Sequence, residues 1–480
     1  MTSRRVPGRF PAVGSSPIAD RIRERRGARG LTPLDGTLLH VPQVADGWNS
    51  LLGAIRTKGN LPGDVRESMI LRVAAHNHAA FEWIQHEHVA RDLGVTTAQL
   101  SRIRDTSLSS PSPSSPGALT PLQAAAVAFA DSSTKKIKVS DEVVQALTTE
   151  LGSLVKGSGK EKEDAVQDLL VEAAAVVATY NMVSRFLVSL DVAGMSDNPV
   201  PYPVETTEHT VPLPSGGTIH AITLITSPTA PWLAFSNSLL TSTKMWSFLG
   251  PKLTSAKYNL LLHDQRGHGL SSVPNPPSST INDLADDIVV LLTHLQIPKL
   301  YAMIGVSQGG ATALAFAVNH PELTERVVAC DTQPVTPQAN VKAWDDRIEL
   351  AKTQGMDALA TVTAGRWFPE GSAFHPSGGA NATFVLDMIT TTSLEGFIAG
   401  ARALQSYDLI SAGLLKCKVP TLLVAGEKDG VLPGVLGKLK DEWAAKGGDV
   451  RMAIVPGSGH LPMVDGVDEF ARVVLEFLRR

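Results

Sequence analysis

Residues 300–320 read LYAMIGVSQGGATALAFAVNH: an apolar strand-like run, a Gly-x-Ser-x-Gly core at Gly305–Gly309, and an alanine-rich helix-like run. No other stretch restricts the fold as tightly. A serine on so sharp a strand-to-helix turn needs small neighbours two positions to either side, because the two backbones pack against each other there. The helix that follows points its N-terminal end, with its partial positive charge, at the serine oxygen. The pattern predicts a mostly parallel α/β sheet with Ser307 as a nucleophile at the end of a strand.

A nucleophilic serine needs a base, and the base needs an acid to hold its tautomer. Asp429 lies in TLLVAGEKDG and His460 in RMAIVPGSGH, each just past an apolar strand-like run. Taken singly, Asp429 can also be read as a turn aspartate and His460 as a loop or capping histidine. Taken in the chain order Ser307, Asp429, His460, they predict a catalytic triad. The oxyanion of such a reaction needs two backbone N–H donors. Gln308, directly after the serine, supplies one, and Leu239 in PWLAFSNSLL at 231–240 supplies the other. Asn237 and Ser238 either shape that loop or touch substrate. The run Asp264-Gln265-Arg266-Gly267-His268-Gly269 reads as a fastened tight turn, and His268 is not needed for the triad.

The same alternation extends on both sides. Strands are expected at 218–225, 231–236, 258–262, 300–306, 326–330, 420–425 and 451–455, with helices at 281–295, 308–319 and 467–478. Residues 335–415 are mainly helical, with a Gly/Pro-containing loop at 369–379, as in a cap over the sheet. Within it Trp344, Arg347, Arg366 and Trp367 are candidate substrate contacts. The alternative is that both arginines pair with cap acids such as Asp345, Asp346 and Glu349.

Residues 31–190 carry helical periodicity and almost no strand signal. Helices are expected at 64–80, 80–93, from 97, from 120, at 139–152 and at 161–189, with Thr120 as an N-cap before Pro121. The serine- and proline-rich stretch 106–118 reads as an exposed loop, and 191–208, with three prolines, as a linker. Residues 1–30 hold eight arginines against Asp20 and Glu24, and read as a basic arm or a targeting segment. The fold class expected is therefore multidomain: the arm, an all-helical domain, the linker, and an α/β domain over 209–480.

A net charge of -4 gives no electrostatic reason to expect nucleic acid as a partner. Two cysteines, Cys330 and Cys417, suit a cytoplasmic setting and do not support a disulfide framework. No membrane span is expected. In the helical half, Glu82 and His86 stand four apart in FEWIQHEH and share a helix face. They are second-site candidates for proton transfer, or a buried structural pair. No third ligand is defined by spacing, so no metal is expected.

Several further matches carry family likenesses. FSNSL at 235–239, HDQRGHGLSS at 263–272, GVSQGG at 305–310, RWF at 366–368, VPTLLVAGEKDGVLP at 419–433 and PGSGHLP at 456–462 resemble the 3-oxoadipate enol-lactone hydrolases of the α/β-hydrolase superfamily. That resemblance implies serine-dependent acyl transfer on a small-molecule lactone or ester, without a cofactor. It also implies a substrate carboxylate, for which Arg347 or Arg366 could supply the cation. The helical half resembles the carboxymuconolactone decarboxylase family through Glu67 and Arg72 in RESMILRVAA, Glu82 and His86 in EWIQH, and Tyr180, Asn181, Met182 and Arg185 in ATYNMVSRFLVSLDV. This implies an all-helical fold and a homo-oligomer, trimer or hexamer, formed through that domain. Peroxidase-like relatives keep two cysteines ahead of the histidine. This half has none, which excludes thiol chemistry there and leaves an oligomerising scaffold or a decarboxylase. With the helical domain first, the order resembles fungal cyclases that close a fused β-lactone. That implies cyclisation as an alternative to hydrolysis on the same serine site.

Overall fold

A computed structural model describes residues 5–107 and 118–480, and the chain divides into two compact units, Met1–Pro203 and Val204–Arg480. Residues 108–117, the body of the expected serine-rich loop, lie outside the described residues.

The first unit is helical. Its helices are α1 (Pro17–Arg26), α2 (Pro33–Leu38), α3 (Pro42–Thr57), α4 (Gly63–His76), α5 (Ala80–Asp92), α6 (Thr97–Arg104), α7 (Pro121–Lys136), α8 (Asp141–Leu154) and α9 (Lys160–Ser189). Local signals set several starts. Thr120 accepts from Gln123 N–H and Gln123 returns the bond, with Pro121 in the first turn. Thr32 with Asp35 and Thr96 with Gln99 form the same reciprocal caps. α4 is buried along most of its length and packs against α5, α6, α7 and α9, so it forms the centre of this unit. α9 is long and apolar enough to cross a membrane by length and composition, but half of that window is buried in the unit. The basic arm expected at 1–30 needs correction. Residues 17–26 are α1, capped by Ser16, with Ala19 and Ile22 fully buried and the helix packed on α3. Four arginines in ten residues hid the two apolar anchors.

The second unit is a doubly wound sheet. Its elements are β1 (Glu205–Pro212), β2 (Thr218–Ile225), β3 (Trp232–Ser236), α10 (Gly250–Ser255), β4 (Asn259–His263), α11 (Ile281–His294), β5 (Ala302–Val306), α12 (Gln308–Asn319), β6 (Val327–Cys330), α13 (Gln338–Trp367), α14 (Ala382–Thr390), α15 (Leu394–Ala403), β7 (Thr421–Gly426), α16 (Leu432–Ala445), β8 (Val450–Val455), α17 (Pro462–Asp465) and α18 (Val467–Leu478). The strand order is β1-β2-β4-β3-β5-β6-β7-β8. β1, β2 and β4 pair antiparallel, and every pair from β4 to β8 is parallel. β3 to β7 are buried on both faces, which is why they read as unbroken apolar runs. β1 was missed at the sequence level. Residues 205–208, assigned to the linker, are its first half. ETTEHTVP carries polar, exposed side chains on an edge strand, so it shows no apolar alternation. The cap is α13 to α15, with α13 broken at Gly355, where φ is +83°. In an open parallel sheet, ligands bind beyond the carboxyl ends of the strands, and the loops after β3, β5, β6, β7 and β8 gather there.

Candidate active site

β5 ends at Val306, and Ser307 turns the chain into α12 with φ 56° and ψ −116°. A non-glycine residue with positive φ is strained and persists only where its surroundings fix it. Here Ser307 N–H donates to Cys330 O at 2.8 Å, and Ser307 O accepts from Ala311 N–H at 3.0 Å. The glycines flanking it are required. A Cβ on Gly305 would run into the Gly309 backbone, and one on Gly309 into the carbonyls of Ser236 and Asn237.

β7 delivers Asp429 and the loop after β8 delivers His460, whose Nδ1 lies 2.6 Å from Asp429 Oδ2. Burial opposes the Asp429 charge, but the charge and hydrogen bond of His460, a hydrogen bond with Asp331 and the charge of Arg366 outweigh it. Its carboxyl is held below the ordinary aspartate range. The His460 ring stacks on Trp367 at 5.8 Å between centroids, and the His460 backbone N–H donates to Trp367 O at 2.7 Å. The cap thus orients the imidazole as well as covering it. Ser307, Asp429 and His460 line one cavity of about 250 Å³.

The other expected residues sort as follows. Ser238, Leu239, Trp344, Arg347, Arg366 and Trp367 all line that cavity. Asn237 does not, and of its two readings the structure supports loop shaping. Its Nδ2 donates to His263 O at 2.8 Å and its Oδ1 accepts from Trp246 Nε1 at 2.7 Å, so both ends are spent on shaping the loop. Leu240 N–H donates to His268 Nε2 at 3.1 Å. Leu239 N–H and Gln308 N–H have no acceptor among the described residues. His268 therefore selects which N–H of the loop is left free. Burial depresses its pKa to about 4, so the ring is a neutral acceptor. Asp264 fastens the turn as read, accepting from Thr243 N–H, Leu270 N–H and His220 Nδ1.

The cap arginines do not pair with the neighbouring acids. Asp345 pairs with Arg402 and Asp346 with Lys342. Arg347 lies over the Trp344 ring at 4.5 Å, and burial with the nearby charge of Arg366 lowers its pKa to about 10. Arg366 is lowered by burial too. Two guanidiniums, Arg347 partly buried and Arg366 exposed, share one cavity with no salt-bridge partner among the described residues. Asp331, directly after β6, also lines the cavity and was missed. The signal existed in VVACD, an apolar strand ending in an acid, as at Asp429.

In the first unit Glu82 and His86 line a separate cavity of about 260 Å³ with Arg56 and Glu67. The partner of His86 is Glu67 of α4, at 2.6 Å from Nδ1, and not Glu82. Both Glu82 oxygens are buried without a hydrogen bond. Arg72, also buried, binds Asp131 and the carbonyls of Arg102, Ile103 and Asp105, fixing the end of α6. Among the described residues there is no cluster of three or more potential metal ligands.

Residues 231–467 match the model of the alpha/beta hydrolase fold family, and residues 42–109 that of the carboxymuconolactone decarboxylase family. The chain is 34% identical to 3-oxoadipate enol-lactonase 2 of Acinetobacter baylyi over 42% of its own length and 72% of that protein's. It is 26% identical to 3-oxoadipate enol-lactonase 1 of the same organism, over 52% and 89%. A solved hydrolase structure from Pseudomonas aeruginosa superposes with a TM-score of 0.51 at 29% identity, covering 57% of this chain and 98% of that one.

Proposed function

Since the chain belongs to the alpha/beta hydrolase fold family and is related within it to the enol-lactone hydrolases, we propose that residues 204–480 form a serine hydrolase of a small lactone or ester that bears a carboxylate. The observation that carries this reading is the convergence of Ser307, the Asp429–His460 pair and two cap arginines without a salt bridge among the described residues on one cavity.

His460 Nε2 takes the proton of Ser307 Oγ as the oxygen attacks the acyl carbon. Asp429 fixes the tautomer and stabilises the imidazolium. The N–H groups of Leu239 and Gln308 meet the negative charge that forms on the carbonyl oxygen. The ring C–O bond breaks, and His460 returns the proton to the leaving oxygen, which stays tethered in a lactone. Water then repeats the sequence on the acyl-enzyme. Arg347 and Arg366 hold the substrate carboxylate, with Trp344 and Trp367 as apolar walls. Ser238 lines the same cavity.

A screen of lactones and esters tests this, with wild type beside Ser307→Ala and products read by mass in labelled water. Ring-opened product carrying solvent oxygen is expected, with turnover reduced roughly a thousandfold or more by Ser307→Ala. A product of unchanged mass would instead indicate cyclisation to a β-lactone; the relatives named above are hydrolases and lend that outcome no support.

The first unit is proposed chiefly as an assembly module that holds a homo-oligomer, tested by comparing the size of the full chain with that of residues 204–480. The Glu67–His86 pair beside the unpartnered Glu82 favours a second reading, proton transfer in a decarboxylation. Carbon dioxide released from a carboxylated lactone, and lost in His86→Ala, tests it.

A further inference from the structure

Asp331 follows β6 as Asp429 follows β7, one strand over at the same edge of the sheet. It is 1% exposed, carries a positive φ of 43°, and faces the cavity that holds Ser307. The hydrolytic sequence proposed above does not use it. Its carboxyl accepts Gly426 N–H, at 3.0 Å to Oδ1 and 3.2 Å to Oδ2, and the Cys330 thiol at 3.0 Å. The Asp429 carboxyl, on the wall of the same cavity, is its acidic neighbour.

Two neighbouring acids in a buried setting do not both carry a charge: one of them keeps a proton. Asp429 accepts from His460 Nδ1 and lies near Arg366, so the charge belongs there. Around Asp331 the titratable groups are Cys330 and Asp429. Asp465 bears on both of those, and none of the three is a cation. The nearest cation, Arg366, is set against Asp429.

We propose that Asp331 is a positioning residue for the triad: it carries the one proton the pair shares and donates it to Asp429, fixing the carboxylate that orients His460. Burial, and then the charge of Asp429, hold the Asp331 carboxyl well above the usual aspartate range, in keeping with this arrangement. Asp331 thereby keeps the charge on Asp429 in a buried setting. The inference rests on the serine-hydrolase reading.

The test is the rate at which a fluorophosphonate labels Ser307 across pH, which needs no knowledge of the substrate. In that reaction the Ser307 Oγ–P bond forms, the P–F bond breaks, fluoride leaves and the serine proton passes to His460. Asp331→Asn keeps a donor toward Asp429 and an acceptor toward Gly426. Its rate is expected within about threefold of wild type near neutral pH, without the alkaline decline that ionisation of Asp331 causes in wild type. Asp331→Ala is expected to label on the order of tenfold to a hundredfold more slowly, as misplacement of an orienting group does. Thermal melts check that both variants fold. Equal slowing by Asn and Ala, a wild-type rate for Ala, or an alkaline decline unchanged in Asp331→Asn would each overturn the proposal. Label found away from Ser307, with Ser307→Ala unaffected, would instead sink the hydrolase reading and this inference with it.

Discussion

His86 Nδ1 lies 2.6 Å from Glu67 Oε2 in the helical unit, the same contact that His460 Nδ1 makes with Asp429 Oδ2 in the α/β unit. Beyond the imidazole the two sites diverge. The Nε2 of His86 is already met by Tyr180 OH at 3.2 Å and by Arg56 at 3.3 Å. Burial and the Arg56 charge lower the His86 pKa despite Glu67, while Glu67, despite its own burial, is held below the usual range by His86. Both ring nitrogens of His86 are thus engaged by side chains of its own unit. His460 instead opens onto a cavity shared with a strained serine.

Glu82, one helical turn from His86, stands beside that network without joining it. Burial pushes its carboxyl well above the ordinary glutamate range. A raised acid makes the folded state retain a proton that the unfolded chain releases, so stability falls as pH rises above the unfolded value of about 4.3. Glu82→Gln cannot lose that proton. Its melting temperature should match wild type near pH 4 and exceed it at pH 8, by an amount worth about 1 kcal/mol or more. Equal melting curves at both pH values would show that Glu82 is not a buried neutral acid.

Asp429→Asn should fold and still bind substrate, yet lower kcat by roughly ten-thousand-fold. An amide at this position presents no charge to His460 Nδ1 and favours the wrong tautomer. Steady-state kinetics on whichever ester or lactone the screen identifies would read this directly. A loss below tenfold would move the role of the acid elsewhere.

Most of the sheet was legible because a strand buried on both faces has to be an unbroken apolar run. β2 is found at 218–225 and α12 at 308–319, as read. Ser307, Asp429 and His460 were legible for a related reason: each follows such a run, where the sheet hands its side chains to solvent. Asp331 follows one too, but VVAC is only four residues long and the acid had no obvious partner in sequence. Pairings between distant segments were not legible. Nothing in the spacing says that Asn237 spends its amide on His263 and Trp246, or that Glu67 rather than Glu82 meets His86. Those depend on how elements cross, and period and composition do not encode that.

The cap arginines make a prediction about specificity. Arg366→Ala should raise KM for a lactone bearing a carboxylate by roughly ten- to a hundredfold, since a hydrogen bond to a charged group is worth about 1.5–3 kcal/mol. A neutral ester of similar size should lose far less. Arg347→Ala should act in the same direction, reduced by the packing lost over Trp344. If both substrates lose KM equally, the arginines serve the cap and not the ligand.

Gly309→Ala places a methyl group against the carbonyls of Ser236 and Asn237, at the crossing of β3 with the start of α12. The backbone there cannot move aside as a flexible side chain would. Overpacking of this kind costs about 1–3 kcal/mol, and the displaced helix would carry Ser307 and Gln308 N–H with it. A lowered melting temperature with activity reduced further than folding explains is expected. Full activity at 25 °C would mean that the elbow tolerates more slack than its contacts imply.

Asp465 offers a pH test of the loop that carries His460. Its Oδ2 accepts Gly459 N–H at 3.1 Å, one residue before the histidine, while Oδ1 is buried without a hydrogen bond. Burial, with a smaller contribution from the charge of Asp429, raises its pKa to about 6. The folded-state value lies above the unfolded one, so the acid holds its proton in the fold and stability declines between about pH 4 and pH 6. Above pH 6 the cost is complete and no longer changes. Asp465→Asn keeps an acceptor for Gly459 and carries no charge. It should melt with wild type at pH 4, pull ahead through pH 5 and 6, and hold a constant advantage of about 1–2 kcal/mol at pH 7 and 8, less than the full shift because the side chain is partly exposed. An advantage already present at pH 4 would assign the gain to packing or hydrogen bonding. An advantage growing beyond pH 7 would point to a different ionising group, with Asp331 the nearest candidate.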